Sequence, residues 1–256
     1  MVTVTITNQK GGVGKTTTAH ILSAGLARQG FKVLAVDVDP QTNLTFTAGI
    51  DPLESGVNLY NLMKKQASSL QAVQPTKSGF SIIPGSLDLA GADMEFTQAG
   101  REYMLKEALE PLKEEFDFCI IDTPPTLGIL TVNALTASQK VIVPMCADVY
   151  SLQGLSQLQG LIGNVQKYCN PALTIDGLLL TKYSPRAVIN RQLKESLQEV
   201  AEQLKTKVYT AAIREAVAIR EAQLLQSDIF TEQPKANVTQ DYTAFINEFL
   251  KGEPKA

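Results

Sequence analysis

Two lysines bracket a cluster of glycines near the N-terminus: Lys10, Gly11, Gly12, Val13, Gly14, Lys15, then Thr16 and Thr17. The glycines let the backbone turn tightly and aim its N–H groups inward, Lys15 adds a point charge, and Thr16 opens a helix whose positive end faces the same spot. That combination is a phosphate cradle. The common pattern, G-x-x-x-x-G-K-[ST], puts a glycine where this chain has Gln9, so the loop is a variant. Lys10 sets it apart, because one lysine is what phosphate binding needs. A flexible turn that binds nothing is the plainer alternative, and the strand before the loop, the helix after it and the Lys15–Thr16 pair speak against it.

Carboxylates follow at the ends of apolar strands. "VDVDPQTN" sets Asp37 and Asp39 at the end of the second strand, where period-two alternation turns both to one side of the sheet. Asp37 reads equally as a carboxylate held by nearby backbone or as a metal ligand. "FDFCIIDTPP" is an apolar strand that ends in Asp122. Carboxylates gathered in a dry core are costly without a cation, so an ion together with Lys15 supplies the compensation. Phosphoryl transfer to water needs in-line positioning and cations at the developing charge, and little covalent chemistry.

Positioning these groups requires alternating strands and helices. Apolar, β-rich runs at 2–7, 32–38, 79–83, 116–121, 140–145, 174–180 and 208–213 alternate with helical segments at 16–29, 58–65, 102–115, 151–168, 187–204 and 238–250. The expected fold is α/β: a doubly wound, mostly parallel sheet with helices on both faces. The 256 residues are expected to form a single domain, 1–256, with a frayed tail at 251–256. A composition 44% hydrophobic and 19% charged is that of an ordinary soluble globular protein. No apolar run reaches spanning length, and "MVTVTIT" enters a strand without a secretion signal, so a cytoplasmic location is expected. Cys119, Cys146 and Cys169 lie too far apart for a CxxC metal pattern, and His20, the single histidine, argues against a histidine triad or histidine metal site.

"KGGVGKTT" is similar to the deviant Walker A motif of the ParA/MinD family of P-loop NTPases, which includes partition proteins, a cell-division regulator, iron-sulfur carriers and nitrogenase iron protein. The resemblance implies ATP and Mg²⁺ as cofactors, with Gly11, Gly12, Val13, Gly14, Lys15, Thr16 and Thr17 around the nucleotide. It implies that Lys10 crosses to the nucleotide of a second subunit in a face-to-face homodimer, so that hydrolysis depends on dimerisation. Asp39 would position or activate the attacking water and belong to the magnesium environment, with Pro40 and Gln41 shaping the loop behind it. Asp122 resembles the Walker B aspartate, holding Mg²⁺ through water beside the direct ligand Thr16.

"VPMCADVYSLQGLSQLQGL" and "GLLLTKYSPR" are closest to the partition ATPases, over nearly the whole chain. The iron-sulfur branches need paired cysteines that are missing here. A MinD-like membrane regulator, the alternative function, ends in a basic amphipathic helix, whereas here Tyr242, Phe245, Ile246 and Phe249 form a stripe with acidic neighbours, as expected of a helix packed on the core. Residues 182–220 carry eight basic against four acidic side chains in a chain of net charge -3, which reads either as a solvated face or as a surface for the DNA backbone. The resemblance favours DNA, bound without sequence preference, with Arg186, Arg191, Lys194, Arg214 and Arg220 as candidate contacts. Ala218 stands where the family has a second arginine. The implied partners are a ParB-like centromere-binding protein, DNA and a second copy of the chain, with no membrane and with nucleoid association in the ATP state.

Overall fold

The computed structural model describes residues 1–146, 150–183 and 197–252, with the backbone alone for 150–154. The elements run β1 (Val2–Ile6), α1 (Lys15–Arg28), β2 (Val33–Asp37), α2 (Asn43–Thr47), α3 (Leu59–Met63), α4 (Ser69–Ala72), β3 (Gln74–Pro75), β4 (Ser81–Ile83), α5 (Ala92–Glu95), α6 (Met104–Leu109), β5 (Phe118–Asp122), α7 (Ile129–Ala137), β6 (Lys140–Cys146), α8 (Tyr150–Tyr168), β7 (Thr174–Thr181), α9 (197–203), α10 (Val217–Leu224), α11 (Ile229–Glu232) and α12 (Asn237–Lys251). Seven strands form one sheet in the order β3-β4-β2-β5-β1-β6-β7. Every pairing is parallel except β3 with β4.

Alternation along the strands divides the core between two faces, as the doubly wound expectation requires. In β5, Phe118 and Ile120 face α1 and α12, whereas Cys119 and Ile121 face α3, α6 and α7. Val141 and Val143 of β6 and Leu178 and Leu180 of β7 join α8 and α9 in a third apolar cluster. The stripe on α12 is buried, and the helix lies so close to α1 that a Cβ on Gly25 would collide with Ile246 Cδ1.

Several elements depart from the sequence reading. The expected helix at 102–115 shrinks to α6 between two short 3₁₀ turns, the second containing Pro111, which has no N–H to continue the ladder. The expected strand at 208–213 is a single parallel bridge from Val208 to Leu178, followed by Ile213 N–H donating to Leu180 O at 2.8 Å. Between them, the Thr210 and Ala211 N–H groups donate to Glu248 of α12 instead of to a ladder. Helix α7 escapes an amphipathic pattern because eight of its nine residues are buried. The first part of the expected helix at 187–204 and most of the tail 251–256 lie outside the described residues, and α12 itself extends through Lys251.

His20 sits inside this packing on α1, edge-on to Phe80 at 5.5 Å, with no partner for Nε2. Burial pushes its pKa from 6.5 down to about 4, against the pull of the Asp228 carboxylate. The folded state therefore resists a proton that the unfolded chain accepts, so stability is intact above pH 6.5 and lost as pH falls toward 4. Urea unfolding at pH 7 and pH 4.5 should show parent stability falling by up to about 2–3 kcal/mol more than that of His20→Gln.

Candidate functional site

Loops leaving the C-terminal ends of β1, β2, β5 and β7 converge on a cavity of about 500 Å³. Gly11, Gly12, Gly14, Lys15, Thr16 and Thr17 form one end, Asp39, Gln41 and Asn43 one side, and Pro125 and Thr181 the floor. The far wall comes from the stretch 213–216, from Ile219, Arg220 and Gln223 of α10, and from Tyr242 of α12. This is the edge at which ligands of open parallel sheets bind.

Helix α1 starts without a side-chain cap and with no acidic residue in its first turn, so its positive end stays directed at the cavity. Gly14, at its N-cap, holds a φ of 88°, a left-handed conformation that a side chain would strain. Asn8 ties the loop down: its Oδ1 accepts the Lys10 N–H at 3.0 Å and its Nδ2 donates to Pro144 O at 2.8 Å. Lys15 is only 7% exposed, and its Nζ donates to Lys10 O at 3.2 Å. The Lys10 side chain is not part of the cavity wall. Val13 has a buried side chain, and its carbonyl accepts from Thr181 Oγ1 at 2.8 Å, so it can present only its backbone N–H to a ligand.

The carboxylates separate into distinct roles. Asp37 Oδ2 accepts from the Thr45 N–H at 2.8 Å and from its hydroxyl at 2.7 Å, and Oδ1 accepts from the Asp39 N–H at 3.3 Å. It braces the β2–α2 turn and does not line the cavity. Burial raises its pKa to about 7, with the Thr45 hydroxyl and amide opposing. Asp39 lies on the cavity wall and receives the Gln41 N–H at 3.0 Å. Asp122 is 0% exposed, and neither oxygen has a hydrogen-bond partner. Burial and the neighbouring Asp37 raise its pKa well above the usual range, with Thr16 and Lys15 pulling the other way. Burial lowers the pKa of Lys15, opposed by Asp122 and Asp39.

A completely enclosed carboxylate with two unused oxygens, beside Thr16 and a partly compensating lysine, fits a hydrated divalent cation. Among the described residues, no three or more His, Cys, Asp or Glu side chains cluster to hold a metal, so a cation bound here would draw on Thr16, water and phosphate as well.

Of the DNA candidates, Arg186, Arg191 and Lys194 lie outside the described residues. Arg214 stands on the cavity wall in a bidentate pair with Asp241, at 2.6 and 2.7 Å, which engages the guanidinium. Arg220, with 71% of its side chain exposed, is on the rim 3.7 Å from Glu215. The resemblance points to the segment 211–223 as the loop beside the base without naming its contacts; the structure adds Gln223, whose amide donates to Thr17 Oγ1 at 3.1 Å. Thr181 had a usable signal, since it ends an apolar strand at the carboxyl edge of the sheet.

A glycine turn feeding a helix at the carboxyl edge of a parallel sheet, with Lys15 and Asp39 on one cavity and Asp122 enclosed near them, defines a P-loop ATPase that works with ATP and Mg²⁺. Residues 1–175 match a family model described as an AAA domain. The chain belongs to the ParA/Soj family: it is 39% identical over 247 residues to sporulation initiation inhibitor protein Soj of Bacillus subtilis, covering 96% of each chain. It is 37% identical over 256 residues to chromosome partitioning protein ParA of Myxococcus xanthus, covering 99% of this chain and 89% of that one. Among solved structures, cobyrinic acid a,c-diamide synthase from Mycobacterium smegmatis with bound ADP and magnesium is 35% identical, with a TM-score of 0.85 over 98% of this chain and 94% of that one.

Asp122→Asn separates the structural cost of this carboxylate from its use. At pH 8 without nucleotide, the variant should be more stable by about 1–2 kcal/mol in urea unfolding, because a buried charge that Lys15 only partly compensates is removed. Its Mg²⁺-dependent ATP turnover should fall on the order of 100-fold.

Proposed function

We propose that this ATPase is a nucleotide-gated DNA segregation switch. ATP draws two copies into a face-to-face dimer, the dimer binds DNA without sequence preference, and hydrolysis stimulated by a ParB-like partner releases it. Supporting this reading is the second lysine of the loop: Lys15 lines the cavity of its own chain, whereas Lys10 is not among that cavity's lining residues. The full-length similarity to proteins named for chromosome partitioning gives the reading its biological setting.

In the proposed cycle, Lys15, the loop N–H groups and the positive end of α1 hold the phosphates, while Thr16 and Asp122 hold Mg²⁺, which offsets negative charge on the transferring phosphoryl group. Asp39 orients the attacking water, and Lys10 of the second copy completes the charge, so turnover waits for assembly. Arg186, Arg191, Lys194 and Arg220 remain the proposed DNA contacts, with the protein nucleoid-associated in its ATP state. The membrane alternative loses support, because the apolar stripe of α12 is occupied by core packing.

Lys15→Gln should abolish nucleotide-dependent behaviour, and Asp39→Ala should give a long-lived ATP dimer with hydrolysis slowed about 100-fold in a phosphate-release assay. Duplex DNA should be retained with a non-hydrolysable ATP analogue and lost with ADP, with affinity falling steeply across a salt series. Equal retention in both nucleotides, or an Asp39→Ala protein that turns over ATP at the parent rate, removes the switch.

A further inference from the structure

The far wall of the nucleotide cavity is an irregular stretch with little structure of its own. The chain leading into it is anchored to β7 twice, through Tyr209 N–H to Leu178 O at 2.9 Å and Ile213 N–H to Leu180 O at 2.8 Å. Between and just beyond these anchors its polar groups turn to α12. Glu248 accepts the Thr210 N–H at 3.0 and 2.9 Å on its two oxygens and the Ala211 N–H at 3.1 Å. Asp241 accepts the Arg214 N–H at 3.2 Å and the bidentate guanidinium at 2.6 and 2.7 Å. The two carboxylates are seven residues apart, two helical turns, and so share one face of α12. The adjoining face, about a quarter-turn round the helix, packs Phe245, Ile246 and Phe249 into the core against α1, the helix that starts at the phosphate loop.

We infer that α12 gauges the nucleotide cavity: Asp241 and Glu248 are positioning residues that hold the base-side wall at a fixed distance from the phosphate cradle, and Arg214 belongs to this clamp rather than to a DNA surface. The cradle takes the phosphates, and Ile213, Ala216 and Ile219, which line the same cavity, offer the apolar surface a flat base requires. Because Tyr242 of α12 also lines this cavity, one rigid helix sets where the irregular wall stands. Since Arg214 is 47% exposed, the pair is solvent-screened and its effect on affinity is moderate. The inference rests on ATP binding alone and stands apart from dimerisation and DNA binding.

The test is titration of the purified full chain with fluorescent N-methylanthraniloyl ATP and Mg²⁺, competed by inorganic tripolyphosphate, which has no base. Asp241→Asn and Glu248→Gln should each weaken the ATP analogue about three- to tenfold, and narrow its advantage over the corresponding GTP analogue, while tripolyphosphate affinity stays at the parent value. The paired exchange Arg214→Asp with Asp241→Arg should recover most of the loss. An unchanged affinity for the ATP analogue, an equal weakening of tripolyphosphate, or a paired exchange no better than Asp241→Asn overturns the inference. If Asp241→Asn does not fold, Arg214→Gln breaks the same pair and is scored identically. Because no arm requires a dimer or DNA, failure here is distinguishable from failure of the segregation switch.

Discussion

Concentrated, enclosed charge at the carboxyl edge of the sheet is the constraint around which the rest of the chain is arranged. Asp37 and Asp122 are paired in register on adjacent strands, and Asp39 follows two residues beyond Asp37. Asp37 is quieted by Thr45, but Asp122 has no hydrogen bond, and the cation beside it is a lysine whose own charge is disfavoured by burial. Such a cluster is poor engineering for a static core, because carboxylates taken out of water cost more than a single ammonium returns. It makes sense as the receiving half of a charge pattern completed by a metal–triphosphate. The glycine turn and the uncapped start of α1 point the same way, since both leave N–H dipoles directed at the cavity.

Around that centre, the fold works as a collector. β1, β2, β5 and β7 are separated by long stretches of sequence, yet their ends are neighbours once the strands are parallel, and each contributes to the lining of the same volume. The parallel order makes this economical in residues, because every βα loop opens on the same edge. The far wall follows a different logic: it is irregular chain held by a helix from the end of the sequence. Similarity to an enzyme named for diamide synthesis illustrates that the scaffold alone does not choose the biology. The choice lies with what the loops carry.

Local chemistry was legible where residue type and spacing coincide. The glycine–lysine loop, the strand ending in Asp122 and the doubly wound alternation all declare themselves in a few consecutive residues. The α12 stripe was readable as core for the same reason, with four apolar residues at helical spacing and acidic neighbours. What escaped depends on partners far away in sequence. α7 gives no periodic signal, because it is sandwiched and apolar on nearly every side. The segment at 208–213 has the composition of a strand, but Glu248 of α12 takes the Thr210 and Ala211 N–H groups. Arg214 reads as one cation among eight, and nothing short of the folded chain places Asp241 against it. The same applies to Asp37, whose two readings are separated by Thr45 rather than by any feature of its own strand.

The two margins of the sheet are both closed. On one side β3 is two residues long, runs against its neighbour and contains Pro75; on the other, the 208–213 segment bridges onto β7 and then turns its amides inward to α12. Among the described residues, neither margin offers a row of open backbone donors and acceptors on which another polypeptide can extend the sheet. Contacts between copies at these margins are therefore left to side chains and bound ligand rather than to strand addition.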